Sequence, residues 1–509
     1  MKFYKGVDIS SLLELEENGL KLYAEDGQEC EALELCKQNG VNSVRLRIWN
    51  DPSQVPEARG YCDLEHTVLF AKRIKAQNMH FMLDFHYSDF WADPGKQRKP
   101  AAWEALSPEA LVQAVYNYTK EVLERLTAEG CQPDMVQVGN EIRSGMLFPD
   151  GEVPHFDQLA KLVNAGIQAV RDVNPDIQVM IHLDQGGKYI FLKEWFDSII
   201  EAGLQSFDVI GVSYYPFWHG TFMDLKHSLD ALAERYKLPV IVVETAHPWR
   251  RCADGFVTEE QEKIAGFCAG VTEQGEVMKL VMNIVASVPN EMGCGVYYWE
   301  PLVVPMEGQG SWGNNMGVLN LDGKVLPGFK EFGFEREDYS IEYMEKVFAE
   351  LERKAKEEAE AMSRMPAGTN LVKNPTFAQG ETNWMLIKKQ ESIQTEINCE
   401  EGYLQVSSNQ NFDFCVCQDV HIHTAGKYAL SVQYRGTNTT DVRVLFYGEQ
   451  VCCDTKVRVE KNIYPTDDMW MRYDIEGVEL QEGTLNIGVW MNTPPVMGKI
   501  KEFKLWRVE

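Results

Sequence analysis

The sequence predicts a parallel (β/α)8 TIM barrel, then a helical connector, then an antiparallel β-sandwich of jelly-roll type. Three observations predict it. Short β-rich runs alternate with longer amphipathic stretches from residue 5 to about 335. A highly charged helical stretch follows. Beyond Asn370 the hydrophobic period falls to two.

The β-rich runs lie at 5–10, 43–49, 79–86, 135–141, 177–183, 207–214, 239–244 and 294–299. Helical patterns separate them, among them Gln28–Gln38, Leu64–Gln77, Pro108–Ala128 and Phe156–Val173. Eight strand–helix repeats fit a closed barrel. A doubly wound sheet is the main alternative, but polar residues end many strands instead of gathering at one switch point. Residues 1–335 are therefore assigned to the barrel.

Residues 336–366 form the expected connector. Tyr343, Val347 and Leu351 recur at four-residue spacing, giving one apolar face, and Pro366-Ala367-Gly368 ends the helix. Residues 367–509 form the expected sandwich, a carbohydrate-binding-like domain with alternating runs at Tyr428–Tyr434 and Val442–Tyr447.

Bulk composition excludes some partners. Of 509 residues, 44% are hydrophobic and 25% charged, as in soluble globular proteins. The net charge of −28 repels phosphate backbones, so nucleic acid is not an expected partner. A neutral polymer such as a glycan is compatible with that charge. No apolar run approaches the ~20 residues a membrane helix needs, so no membrane partner is expected. The twelve cysteines form no paired C-x-x-C motifs, which removes the pattern of a structural zinc site. Cys36, Cys268 and Cys294 lie in apolar runs and read as buried, reduced thiols. With no leader pattern before the first strand, the expected location is cytoplasmic. The alternative is a secreted protein whose leader has been trimmed.

Function is read from the strand ends. Glu141 closes the fourth run and Glu244 the seventh. In a parallel barrel this is where the active site opens. A glutamate after a strand is, taken alone, more often a cap or a surface ion pair. Two of them at strand ends, among other polar strand-end residues, match the two carboxyl groups of glycoside hydrolysis. Alternation places Gln137, Gly139 and Glu141 on one face, and likewise Asp84 with His86, Arg45 with Arg47, Val242 with Glu244, and Tyr297 with Trp299. An arginine beside one glutamate would keep it ionised, and burial would keep the other protonated.

These residues resemble glycoside hydrolase family 53, the endo-β-1,4-galactanases. The resemblance lies in Gly6–Leu12, Val44–Pro52, Gly60–Leu64, Gln137–Ile142 and Gly211–Trp218, and most specifically in Leu83–Gln97. It covers about residues 5–335. It implies a retaining double displacement on β-1,4-galactan or galacto-oligosaccharides, with Glu141 as acid/base and Glu244 as nucleophile. Asn140 would bind the sugar 2-hydroxyl. Arg45, His86 and Tyr214 would line the central subsite, with Asp89 also binding substrate, and Trp91 and Trp299 would be stacking platforms. No cofactor is implied. Some bacterial members carry calcium after the seventh strand, on alternating Asp, His and Asn. Thr245–Gly255 lacks that pattern, so no metal is expected there. The rival readings are the same chemistry on mannan, xylan or glucan, and a galactan-binding protein without catalysis. In the sandwich, Trp384, Trp470, Trp490 and Trp506 are candidate stacking residues, although aromatics of this kind are more often core.

Overall fold

The computed structural model describes residues 2–252, 255–306, 311–363, 368–389, 392–408, 412–437, 443–463, 469–493 and 496–508. Eight parallel strands close a barrel: β1 Tyr4–Asp8, β2 Ser43–Ile48, β3 His80–Phe85, β4 Met135–Val138, β5 Gln178–Leu183, β6 Val209–Ser213, β7 Val240–Thr245 and β8 Gly293–Trp299. The closed order is β1-β8-β7-β6-β5-β4-β3-β2, as in a TIM barrel.

The helices between strands bury one stripe each against the barrel. In Phe156–Val173, Leu159, Leu162, Val163, Ile167 and Val170 recur at helical spacing and are buried. Pro108–Ala128 starts where the Ser107 side chain accepts the Ala110 N–H, with Pro108 at the first turn.

The floor of the barrel is an apolar layer. Tyr4, Met82, Met135, Met180, Val209, Ile241, Val243 and Tyr297 pack together there. Gly6 makes room for this layer, since a Cβ on it would stand 2.1 Å from the Tyr297 ring. The Tyr297 hydroxyl is satisfied by Ser43 Oγ at 2.6 Å. Tyr297 therefore belongs to the floor, while Trp299, two residues on, reaches the mouth.

The helix Ile341–Ser363 carries the expected connector. Met344 is buried, and Tyr343, Val347, Phe348 and Leu351 are partly buried, so the apolar face forms. Pro366 and Ala367 lie outside the described residues. By its internal contacts the chain divides into two compact units, Met1–Ala349 and Glu350–Glu509, and the division falls within this helix.

The second unit contains two five-stranded antiparallel sheets. Its strands are β9 Met385–Lys388, β10 Gln394–Asn398, β11 Tyr403–Ser408, β12 Phe412–Ile422, β13 Gly426–Thr437, β14 Arg443–Val451, β15 Lys456–Ile463, β16 Met471–Leu480, β17 Gly483–Thr493 and β18 Val496–Arg507. The sheet orders are β9-β12-β17-β14-β15 and β10-β11-β18-β13-β16. Leu404, Phe414, Val432, Phe446, Val489 and Phe503 from both sheets share one core. Trp384 belongs to that core, against Phe377 and Phe503, with Nε1–H bonded to Asn374 O. Trp470, Trp490 and Trp506 are only partly buried.

All twelve cysteines are free thiols. Cys36 and Cys294 are buried as expected, but Cys268 is exposed. Its run Phe267-Cys268-Ala269 is a short loop between two helices, so apolar neighbours in sequence did not mean burial. Among the described residues, no helix is long and apolar enough to cross a membrane.

Candidate active site

One alternation step above the apolar floor, the inward positions turn polar. Met82 gives way to Asp84, Met135 to Gln137, Met180 to His182, Gly6 to Asp8, and Ser43 to Arg45. Glu244 arrives differently. Ile241 and Val243 face the floor, so simple alternation would turn Glu244 away. The register between β6 and β7 shifts here: Val212 pairs with Val242 but Ser213 with Glu244. This β-bulge re-aims the strand end and delivers Glu244 to the mouth. The expectation that Val242 and Glu244 share a regular face is thereby corrected, since the bulge replaces the alternation.

Glu141 also lies beyond its regular strand. β4 ends at Val138, Gly139 turns at φ 83°, and Glu141 sits in the left-handed region at φ 46°. A Cβ on Gly139 would stand 2.7 Å from Ile142 Cγ2. Left-handed backbone at a non-glycine residue costs about 1–2 kcal/mol and is a familiar mark of functional positions.

Arg45 is the hub. Fully buried, its Nη1 donates to Asp8 Oδ2 at 2.9 Å and Glu244 Oε1 at 2.8 Å. Its Nη2 donates to Asp84 Oδ2 at 2.9 Å, Asn140 Oδ1 at 2.9 Å and Gln137 Oε1 at 3.1 Å. One guanidinium thus faces three carboxyl groups, and a buried excess of negative charge is costly. Burial raises Glu244, with Asp8 and Asp84 adding to the rise and Arg45 opposing it, and the outcome is a pKa of about 7. Glu141 is half-buried, and burial together with the Glu244 charge raises it well above the ordinary carboxyl range. Two carboxyls this close share a proton readily, and the Arg45 pair makes Glu244 the one that ionises first.

A carboxylate oxygen of Glu141 and one of Glu244 lie within 4.8 Å of each other, and a ring nitrogen of His182 is also within 4.8 Å of each. The donor atoms are already engaged. Glu244 is paired with Arg45, and both nitrogens of His182 are in hydrogen-bond contact with Asn140 and Ser213.

The other expected residues divide. Asn140 is in the cluster, its Nδ2–H held by Ala92 O at 2.8 Å. His86 is there too. Its Nδ1 accepts from Ala92 N at 3.0 Å and Trp49 Nε1 at 3.3 Å, so Nε2 carries the proton. That Nε2 is 3.1 Å from Asp84 Oδ2 but finds no well-aligned acceptor among the described residues. Trp91 and Trp299 form one aromatic wall with ring centroids 6.0 Å apart. The Arg47 guanidinium stacks 4.2 Å over Trp91 and is itself held by Glu300 at 2.6 Å and Ser11.

Tyr214 and Asp89 are not brought to the cluster. Tyr214 is fully buried against Phe222 and its hydroxyl donates to Gly220 O at 3.1 Å. The neighbouring Tyr215 reaches the site instead, donating to Glu244 Oε2 at 3.3 Å. Alternation from Gly211 through Ser213 points to Tyr215, so the signal was in the sequence. Asp89 braces two loops by accepting from Asp51 N at 3.0 Å and Ala101 N at 2.8 Å. Asp8, His182, Ser213 and Glu300 also belong to the site and were not singled out. Each sits at or just beyond a strand end, on runs whose polar residues alternation would have flagged.

The loop after β7 is fastened by its own contacts. His247 Nε2 meets Cys268 O at 3.0 Å, Trp249 N–H reaches Asn315 O, and Arg251 pairs with Glu262 at 2.6 Å. Ala253 and Asp254 lie outside the described residues.

The profile of Glycosyl hydrolase family 53 matches residues 4–332. The chain belongs to this family. Family 53 enzymes are retaining glycosidases acting on β-1,4-galactan. The chain is 44% identical over 333 residues to an uncharacterized Niallia circulans protein, a match covering 63% of this chain and 89% of that one. It is 37% identical over 314 residues to the endo-beta-1,4-galactanase of Bacillus subtilis (strain 168), covering 60% and 71% respectively. Among solved structures, the Ignisphaera aggregans GH53 catalytic domain is similar at 38% identity and a TM-score of 0.61, covering 65% of this chain and 95% of that one. These matches concern the family 53 barrel.

Proposed function

We propose that this chain is an endo-β-1,4-galactanase in which Glu141 is the acid/base and Glu244 the nucleophile. The observation that carries the roles is the placement of two carboxyls with unequal surroundings, oxygens within 4.8 Å. A retaining pair stands about 5–5.5 Å apart, whereas an inverting pair needs about 6.5–9.5 Å to admit water. Arg45 and Tyr215 both donate to Glu244, which favours its ionised, attacking form. Among the described residues Glu141 has no such cation, and it keeps its proton for the leaving oxygen. Asn140, fixed by Arg45 and Ala92, is placed to meet a sugar hydroxyl, and Trp91 with Trp299 offers a face for sugar C–H surfaces.

The substrate is β-1,4-galactan or its oligosaccharides. The test is proton NMR of galactan hydrolysis, together with Glu141→Gln and Glu244→Gln variants. The β-anomer should appear first, and each variant should lose at least about 100-fold in kcat/KM. A first-formed α-anomer, or variants with wild-type turnover, would overturn the proposal.

A further inference from the structure

Ser213 Oγ lies 2.6 Å from Glu141 Oε1 and 2.8 Å from His182 Nε2. A hydroxyl has one hydrogen, so it serves only one of these contacts as donor. Its neighbours decide which. Arg45 can only donate, and it gives Nη2–H to Asn140 Oδ1 at 2.9 Å. Asn140 Nδ2 is committed to Ala92 O, which fixes the amide orientation. Asn140 Oδ1 is therefore an acceptor, and His182 Nδ1 stands 3.0 Å from it. Two lone pairs at that distance would repel, so Nδ1 carries a hydrogen. Gln137 Nε2, 3.1 Å from the same nitrogen, already has Asp84 Oδ1 at 2.5 Å and Gly139 O at 3.1 Å as acceptors.

His182 is fully buried, and burial, with Arg45 and His86 near it, holds it well below the usual imidazole range. A neutral ring with a hydrogen on Nδ1 has a bare Nε2. Nε2 must then accept from Ser213, whose only hydrogen is used. The 2.6 Å contact between Ser213 and Glu141 can be closed only by a hydrogen on Glu141.

We propose that Ser213 and His182 are positioning residues for the general acid: a one-way hydrogen-bond chain from Arg45 through Asn140, His182 and Ser213 places the catalytic proton on Glu141 Oε1. The proposal deepens the reading of Glu141 as acid/base and rests on it. In the first step Glu141 gives this proton to the glycosidic oxygen as that oxygen takes the electron pair of the breaking C–O bond and Glu244 bonds to the anomeric carbon. In the second, water attacks that carbon, Glu141 takes a proton from the water, and the Glu244 ester opens. The chain then stands as before. The same Arg45 that stabilises the ionised nucleophile through Nη1 thus directs the proton to the acid through Nη2.

Other titratable groups surround the pair. Glu244, Asp184 and Asp93 face Glu141, and Asp184 is paired with Arg143 at 3.0 Å. Arg45, His86 and His219 face His182. None of them donates to or accepts from Ser213 Oγ.

The experiment measures pH profiles of kcat/KM for Ser213→Ala, His182→Phe and Glu141→Ala on two substrates. One is β-1,4-galactan, whose leaving group needs a proton. The other is 2,4-dinitrophenyl β-galactobioside, whose leaving group does not. Without Ser213 the protonated Glu141 loses its acceptor. Without His182 the Ser213 hydrogen turns to the carboxylate. Both changes favour ionised Glu141, so both variants should shift the alkaline limb on galactan to lower pH by about one unit. Galactan turnover should fall roughly tenfold or more, with a much smaller loss on the dinitrophenyl substrate. A shift of the Ser213→Ala limb to higher pH would show Ser213 donating to the carboxylate and would overturn the proposal. So would an unmoved limb, or equal losses on both substrates.

Glu141→Ala separates the two levels. If it keeps galactan turnover, the acid/base reading itself fails. If it loses galactan turnover but keeps a burst of dinitrophenol while the Ser213 and His182 variants behave as wild type, only the relay fails. Nitrogen-15 NMR of histidine-labelled wild-type enzyme gives a readout independent of variant folding. His182 should be protonated at Nδ1 and bare at Nε2, and the opposite tautomer would overturn the proposal.

Discussion

Arg45 Nη1 stands 2.8 Å from Glu244 Oε1 while also holding Asp8 Oδ2 at 2.9 Å. Glu244, the proposed nucleophile, is thus tied to the first strand through a side chain of the second. Removing Arg45 leaves Asp8, Asp84 and Glu244 buried without their shared cation. Arg45→Met should destabilise the barrel by about 3–5 kcal/mol, the usual effect of breaking a buried ion pair. Denaturant unfolding checks this, and a loss under about 1 kcal/mol would mean that the carboxyls simply take up protons.

Activity should follow a bell. kcat/KM on galactan should rise through about pH 7 as Glu244 ionises, then fall as Glu141 deprotonates at higher pH. Stability should run the other way. Both folded-state values lie above the ordinary carboxyl value of 4.5, so folding favours the protonated forms. That contribution is whole below 4.5 and is lost as pH rises, for Glu244 across the window from 4.5 to about 7. Glu141→Gln should therefore raise the melting temperature more at about pH 8 than at about pH 5. A gain independent of pH would show that Glu141 is not protonated by folding.

The two adjacent tyrosines should separate cleanly. Tyr215→Phe removes a donor to Glu244 and should lower kcat on galactan by about tenfold while leaving the melt nearly unchanged. Tyr214→Phe removes only the contact with Gly220 O and should cost about 1 kcal/mol of stability with kcat retained. Steady-state kinetics beside thermal melts tests both, and the reverse pattern would restore Tyr214 to the site.

Trp91 should act on binding. Its ring faces Trp299 and carries the Arg47 guanidinium at 4.2 Å. Trp91→Ala should raise KM for galactan by roughly tenfold, since such cation–π and stacking contacts contribute about 1–2 kcal/mol. An unchanged KM with lower kcat would assign Trp91 to the chemistry instead.

Much of this was legible in the sequence because strands of a closed barrel are buried on both faces. Their apolar runs stand out, and seven of the eight, all but β2, supply the floor. The polar strand ends announced the site, and Arg45, His86, Asn140, Glu141, Glu244, Trp91 and Trp299 do gather there. What period-two reading could not see was the local departure from it. The bulge opposite Ser213 brings Glu244 inward, and the left-handed turn at Glu141 lies past the end of β4. Tyr214 is implied by the family resemblance alone, whereas the strand phase from Gly211 through Ser213 points to Tyr215. Asp89 is likewise implied by the resemblance alone, and its carboxylate accepts from the loop N–H groups of Asp51 and Ala101. The relay through His182 and Ser213 joins strands β5 and β6, and no spacing within one run encodes a contact between two.

The most direct test of the central pairing is to trap the intermediate with a 2-fluoro β-galactobiosyl donor and map the labelled peptide by mass spectrometry. One adduct should form, on Glu244. An adduct on Glu141 or on any other residue would contradict the pairing, as would turnover of the donor with no covalent species.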